Sequence, residues 1–258
     1  MNANDRALFR PVVLIPCYNH PDTVGDVVRA VRARQLPVIV IDDGSDARTR
    51  EACDALDTDA GVMVIHRKVN GGKGAAVMTG FKTAIARGFT HAVQIDADGQ
   101  HDLADLATLL AVAHKHPDTL VCGYPVYDET VPAARRFGRK LTNFWVAVNA
   151  LTLSVEDALC GFRCYPLARV KPLLAKDVKM GLRMDFDPEV LVRLLWQATP
   201  VLNVPVKVTY PLDGISHFDA WRDNVDISRM HAALFFGMLW RLPAIVWRRL
   251  ATLLRSGA

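Results

Sequence analysis

Two apolar, β-branched runs in this chain stop on carboxylates and then give way to a helical pattern. Val38-Ile39-Val40-Ile41 runs into Asp42-Asp43-Gly44-Ser45, and Ala92-Val93-Gln94-Ile95 runs into Asp96-Ala97-Asp98-Gly99-Gln100-His101. Short, nearly continuous apolar runs suit strands buried on both faces, as in a parallel sheet covered by helices. In open sheets of that kind ligands bind beyond the carboxyl ends of the strands. Carboxylates standing there are costly to desolvate unless they hold something cationic. A hard divalent ion carrying a phosphate-rich ligand meets that need.

The alternation continues through the first half. Residues 12–15, 38–42, 62–65, 92–96 and 120–122 read as strands. Between them fall helical faces at Val24, Val27, Val28 and Val31, over 47–56, at Val77, Phe81, Ala84 and Ile85, and at Leu103, Leu106, Leu109 and Leu110. Asp22 is placed to cap the first helix and Gly88 to end the third. Short loops between these elements mean right-handed βαβ units. Past Gly123 the pattern loosens into an expected loop over 124–134, a helix with a basic start over 135–153 and a strand over 160–165. Pro188 suits the first position of a helix reaching about 197, and Pro205 marks 204–210 as an edge strand. The expected organisation is one catalytic domain over 1–217, with a nucleotide-binding half at 11–123 and an acceptor half at 124–217. Residues 218–258 follow as amphipathic helices.

With 51% apolar and 22% charged residues, the chain can bury a full core and is not a disordered one. A net charge of +4 is too small to point to nucleic acid. Five cysteines without a CxxC pair fit reduced, buried thiols in a cytosolic protein. No basic-then-apolar leader is visible, and no run of about 18 uninterrupted apolar residues predicts a spanning helix.

Asp96 and Asp98 bracket one small residue, so an extended backbone brings both carboxylates to one side. Mg²⁺ takes one or two carboxylates plus phosphate oxygens. A lone D-x-D is weak, and an Asp-Gly turn is the bland explanation. The strand end, Gln100 and the second acidic pair strengthen the metal reading. Asn70-Gly71-Gly72-Lys73-Gly74 ahead of a helix reads either as an anion cradle or as a tight turn, and it lacks P-loop spacing. Arg135, Arg136, Arg139 and Lys140 cluster on one helix, suited to an acceptor phosphate or to a solvated face.

The ordered set then becomes specific. Val13-Leu14-Ile15-Pro16-Cys17-Tyr18-Asn19, the Asp42 and Asn70 segments, the Asp96 segment, Gly161-Phe162-Arg163 and the Phe186-to-Glu189 stretch resemble the family 2 glycosyltransferases over about residues 11–217. They look closest to the dolichyl- or polyprenyl-phosphate sugar synthase branch. The stretch 214–240 also looks like bacterial lipid-modifying members of the aryl-polyene-cluster type. The resemblance implies a GT-A fold, a Rossmann-like and mostly parallel sheet flanked by helices. It also implies a nucleotide-diphosphate sugar donor and Mg²⁺ or Mn²⁺. By that likeness Pro16, Tyr18, Asn19, Asp42 and Asp43 surround the nucleoside, and Gly72 and Lys73 sit nearby. Asp96, Asp98 and Gln100, with Ala97 between the aspartates, then hold metal and diphosphate, while Ser216-His217 stands where that branch has Ser-Lys, leaving His217 as either a diphosphate contact or a structural histidine. Two positions depart from that branch. His20 replaces an acid, and no arginine precedes Gly214 and Ser216, so a hydroxyl acceptor stays open beside a lipid phosphate.

A hydroxyl acceptor requires a general base. Asp157, after Glu156, is the candidate by likeness to inverting GT-A enzymes, with Asp187 and Glu189 as the other acids and Arg163 inside its motif. A phosphate acceptor is already anionic and needs no base. At the C-terminus, Arg241, Arg248 and Arg255 recur every seven residues. They lie opposite Trp240, Leu242, Val246, Trp247, Leu250, Leu253 and Leu254, with Pro243 expected to kink the helix or start a second. That pattern fits a membrane interface. The expectation is an inverting, metal-dependent glycosyltransferase, cytoplasmic and peripheral on the inner membrane face, acting on a lipid or lipid-linked acceptor. A sugar-phosphate nucleotidyltransferase and a non-catalytic nucleotide-sugar binder are the alternatives.

Overall fold

The computed structural model describes residues 9–126, 133–175, 179–209, 219 and 221–256, with the side chains of 133–136 and 248–256 excepted. The elements are β1 (Pro11–Cys17), α1 (Val24–Arg32), β2 (Val38–Asp42), α2 (Ala47–Asp54), β3 (Val62–His66), α3 (Lys73–Ala86), β4 (His91–Gln94) and α4 (Asp105–Lys115). They continue with β5 (Leu120–Val126), α5 (Ala133–Ala150), β6 (Arg163–Pro166), α6 (Leu167–Ala175), α7 (Phe186–Trp196), β7 (Val201–Lys207) and α8 (Arg222–Ser256). One sheet holds the strands in the order β3-β2-β1-β4-β6-β5-β7. β1 pairs parallel with β2 and β4, and β5 with β7, while β6 runs antiparallel to both its neighbours.

Period-two alternation sorts the apolar strands into two cores. Val12 and Leu14 of β1 join one cluster with Phe81 of α3, Leu191 of α7 and Leu234 of α8. Val13, Ile15 and Cys17 join the other with Val27 of α1 and Leu106 of α4. This two-sided burial explains why β1 and β2 read as unbroken apolar runs. β1 lies between β2 and β4, and the connections diverge there, so the carboxyl ends of these three strands border one crevice.

Several expectations shift. Asp22 does not cap α1. Thr23 stands at that position without a capping hydrogen bond. Asp22 pairs with Arg48 on the surface, and the Thr23 hydroxyl donates to the Ala97 carbonyl at 2.6 Å. α7 begins at Phe186, so Pro188 lies within the first turn, where a missing N–H costs nothing. β5 extends to Val126 because edge strand β7 supplies partners as far as Lys207, so 124–126 is strand rather than loop. Residues 127–132 lie outside the description. α6 was not foreseen, since Pro172 interrupts its pattern. All five cysteines are free and buried.

α8 is one helix of 35 residues that continues through Pro243 rather than dividing there. Its Arg222–Trp247 portion is long and apolar enough to cross a membrane by length and composition, although scattered charges break the apolar run. Met230, Leu234, Met238 and Ile245 turn one face of it into the core. Trp240 and Trp247 stand outward, 87% and 73% exposed. Arg241 points the other way, its guanidinium 4.6 Å from the Trp196 ring. The side chains of Arg248, Leu250, Leu253, Leu254 and Arg255 are outside the described set.

Candidate functional site

Asp42 and Asp43, adjacent at the end of β2, face different surroundings. The Asp42 carboxylate is buried away from the crevice. It accepts the Ser45 N–H at 3.0 Å and meets His66 Nδ1 at 2.7 Å. Asp43 borders the crevice, where it accepts the N–H groups of Gly71 (3.1 Å) and Gly72 (2.7 Å) and pairs with Arg67. Gly72 takes a φ of +92°, which favours glycine. The next amides, Gly74 and Ala75, donate to the Leu182 carbonyl at 2.9 and 3.3 Å. The amides of Gly72, Gly74 and Ala75 are thus engaged inside the protein, and the Asn70-to-Gly74 segment forms a turn bound to Asp43.

Lys73 leaves that turn and reaches across the crevice. Its ammonium lies 2.9 Å from Asp96 Oδ1, 3.0 Å from Asp96 Oδ2 and 3.0 Å from Asp187 Oδ2. Gln94 Nε2 donates to the other Asp187 oxygen at 3.0 Å. A Cβ at Gly161 would stand 2.8 Å from the ammonium and 3.0 Å from both Asp96 Oδ2 and Gln94 Nε2, so a side chain there would push on this group of polar atoms. Burial opposes both charges. The aspartates nevertheless hold Lys73 above the ordinary lysine range, and Lys73 and His101 hold Asp96 below the carboxylate range. Asp98 shifts upward, through burial and then the charge of Asp96, although its Oδ1 accepts the Gln100 N–H at 3.0 Å.

These groups line a cleft of about 1400 Å³ with two chemically different ends. Pro16, Tyr18, Asp43, Gly72, Lys73, Asp96, Ala97, Asp98 and Gln100 border the polar end. Leu141 and Trp145 of α5 and Ile227, Phe235 and Phe236 of α8 give the other side an apolar wall, interspersed with the polar Arg139, Thr142, Ser228 and His231. Phe144, Trp145, Phe235 and Phe236 form a chain of ring contacts, with centroids 5.6, 6.4 and 5.9 Å apart, that carries the apolar wall out to the surface.

Other expected site residues do not line this cleft. Asn19 receives the Asp46 N–H and donates its own N–H to Ser45 Oγ, tying the first loop to the second. Arg163 is fully buried and spans from the Ala158 carbonyl to the Asp187 carbonyl, at 2.7 Å each. Glu189 accepts the Gly181 N–H at 2.6 Å and Arg193 Nε at 2.8 Å, so it holds the 181–185 loop. Asp157 is buried and receives Arg139 Nη1 on both oxygens (2.8 and 2.7 Å), with the Leu159 and Cys160 N–H groups on Oδ1. It presents Arg139 to the cleft rather than itself. The side chains of Arg135 and Arg136, and residues Ser216 and His217, lie outside the described residues.

Among the described residues, no three His, Cys, Asp or Glu side chains gather as metal ligands. Two hard carboxylates on one wall still fit Mg²⁺ or Mn²⁺ if diphosphate and water complete the shell. Asp96 Oδ1 is buried and accepts no directed hydrogen bond, and it has the Lys73 ammonium 2.9 Å away.

Sequence reasoning missed the bridge from Lys73 to Asp187 and the 181–185 loop. Arg183 Nε donates to Asp223 at 2.9 Å, so this loop connects the first turn of α3 to the start of α8. Their sequence signal is confined to the acids of the Phe186-to-Glu189 stretch.

Asp42 carries a pH dependence. Burial acts to raise its pKa, but His66 and Ser45 hold it below the ordinary 3.8. The unfolded chain therefore binds the proton first, so stability is present above about 3.8 and falls as the pH drops through the native value. Urea unfolding followed from pH 5 downward should show a shallower loss for Asp42→Asn than for the unaltered protein. Parallel curves would remove Asp42 from that account.

Three comparisons bear on this geometry. The family model for "Glycosyl transferase family 2" matches residues 12–163. A polyprenol monophosphomannose synthase from Mycolicibacterium smegmatis is 32% identical over 228 residues, 83% of each chain. An undecaprenyl-phosphate mannosyltransferase from Micrococcus luteus is 36% identical over 169 residues, 61% of this chain and 66% of that one. Among solved structures, glucosyl-3-phosphoglycerate synthase from Mycobacterium tuberculosis, in complex with Mn²⁺ and UDP-glucose, superposes with a TM-score of 0.64 at 17% identity. The match covers 88% of this chain and 78% of that one.

Proposed function

The chain belongs to glycosyl transferase family 2 and is a glycosyltransferase of GT-A fold, and from that premise we propose that it transfers a sugar from a nucleoside-diphosphate donor to a polyprenyl-type lipid phosphate, with inversion. The carrying observation is the cleft itself, with paired aspartates and a lysine on one side and, on the α5 and α8 side, aromatic and aliphatic side chains interspersed with polar ones. One relative described above is named for making a polyprenol monophosphomannose and the other for a transfer involving undecaprenyl phosphate, which supports the same acceptor class here.

Asp96 and Asp98 would hold Mg²⁺ or Mn²⁺, whose charge would offset that developing on the leaving diphosphate. Asp43 orders the turn beneath the nucleoside end by binding two of its amides. Arg139, held in place by both oxygens of Asp157, meets the acceptor phosphate, for which a guanidinium is well suited. A phosphate oxygen of the acceptor attacks the anomeric carbon, and the bond from that carbon to the diphosphate oxygen breaks with its electron pair. The acceptor enters already ionised, so no side chain needs to take a proton. Asp157, saturated by hydrogen bonds, then serves as a positioning residue.

The outward Trp240 and Trp247 of α8, together with Phe137 and Phe144 of α5, support contact of this side with a bilayer surface. The lipid chain runs from the bilayer into the α5/α8 groove, and the protein sits peripherally on the cytoplasmic face. The test pairs the full chain and Mn²⁺ with UDP-, GDP- and dTDP-sugars, using undecaprenyl phosphate or an alkyl glycoside as acceptor. Mn²⁺-dependent transfer to the phosphate is the expected result. Transfer only to the glycoside hydroxyl would overturn the acceptor class. Liposome flotation of Trp240→Ser/Trp247→Ser should fall well below that of the parent protein, and equal flotation would remove α8 from the membrane contact.

A further inference from the structure

The cation position at Asp96 already holds a charge supplied by the chain itself. Lys73 Nζ stands within 3.0 Å of both Asp96 oxygens and of Asp187. Three carboxylates, Asp96, Asp98 and Asp187, converge on this part of the cleft against one ammonium. Lys73 cannot drift far. It lies at the first position of α3, next to the Gly72 turn bound by Asp43, and Gly161 is packed against its tip. Asp187 is equally fixed, at the start of α7, by Gln94 on its side chain and Arg163 on its carbonyl. His101 Nε2 lies 3.9 Å from Asp96 and adds no close hydrogen bond. A divalent ion at Asp96 and Asp98 would therefore meet an ammonium that already neutralises one of its two ligands.

We propose that Lys73 is a stand-in cation for the metal, which occupies Asp96 in the metal-free protein and yields it when a diphosphate offers the ammonium an anion in exchange, with Asp187 keeping the lysine within reach. This rests on the donor class given above. Metal and donor consequently bind as a pair. The bare ion is opposed by Lys73, while the diphosphate both adds oxygen ligands for the ion and draws the lysine off Asp96. Such mutual dependence is a coupling between two sites and acts equally in both directions.

The measurement is Mn²⁺ binding to the full chain, read from the free-ion signal in electron paramagnetic resonance, with and without UDP or GDP. The unaltered protein should bind Mn²⁺ weakly alone and at least about tenfold more tightly with diphosphate present. Lys73→Met should bind Mn²⁺ alone about tenfold more tightly than the unaltered protein, and its gain from diphosphate should shrink. Asp187→Asn, which leaves Asp96 as the lysine's remaining anion, should weaken Mn²⁺ binding. Lys82→Met, on the exposed side of α3, removes the same charge and should change nothing. Circular dichroism establishes that each variant is folded. Mn²⁺ affinity of Lys73→Met equal to or below that of the parent protein, or a rise matched by Lys82→Met, overturns the proposal. The Mn²⁺-only arm decides it even if neither nucleotide binds, and that second outcome would instead count against the donor class.

Discussion

Asp98→Ala should lower the rate of transfer by about 10²–10³-fold and remove Mn²⁺-dependent donor binding in calorimetry. The magnitude follows from what this carboxylate does. It makes a hydrogen bond to the Gln100 N–H and otherwise faces the cleft, so its removal disturbs little of the fold. Asp96 would remain, but the ion would lose one of the two carboxylates that would hold it. Unfolding midpoints should move little. Retained Mn²⁺-dependent binding would place the metal elsewhere. Burial and Asp96 raise the pKa of Asp98, so protons compete with the ion, and donor affinity should weaken as the pH falls.

Arg139→Gln should reduce kcat/KM for the lipid phosphate by about 10–100-fold and leave donor affinity unchanged, since hydrogen bonds to charged groups contribute about 1.5–3 kcal/mol. Asp157→Asn provides the contrast. As a positioning residue it keeps its backbone partners Leu159 and Cys160 but loses its ionic hold on Arg139. Transfer should persist at a reduced rate, with a raised acceptor KM and an unaltered pH profile. Complete loss of transfer in Asp157→Asn, or loss of the acid limb from the profile of whatever activity remains, would return Asp157 to the role of general base. Normal acceptor kinetics in Arg139→Gln would remove the phosphate contact.

The fold was legible where burial is two-sided and local. β1 and β2 are nearly continuous apolar runs, acids close β2 and follow β4, and the loops between these elements are too short to permit much besides βαβ units. The polar end of the cleft was legible for the same reason, since strand ends in such sheets are where ligands sit. The roles of Arg163, Glu189 and Asp157 were not, because their motifs specify residue type and not direction. All three carry charge in or next to motifs, yet each spends its hydrogen bonds on backbone or on another side chain. Only tertiary contacts distinguish a strut from a reacting group. Likewise, the acid pair at the end of β2 reads as one feature in the sequence, while the pleat sends Asp42 to His66 and Asp43 to the Gly71 and Gly72 amides.

The five-residue loop at 181–185 works as a mortise between the long terminal helix and the phosphate end of the enzyme. Its Leu182 carbonyl closes the first turn of α3, and its Arg183 is pinned to Asp223 at the root of α8. Chimeras that exchange tails between relatives would have to transplant both halves of this joint together. A foreign tail without a matching carboxylate would leave Arg183 unanchored, and the turn that opens α3 would lose its register with α8.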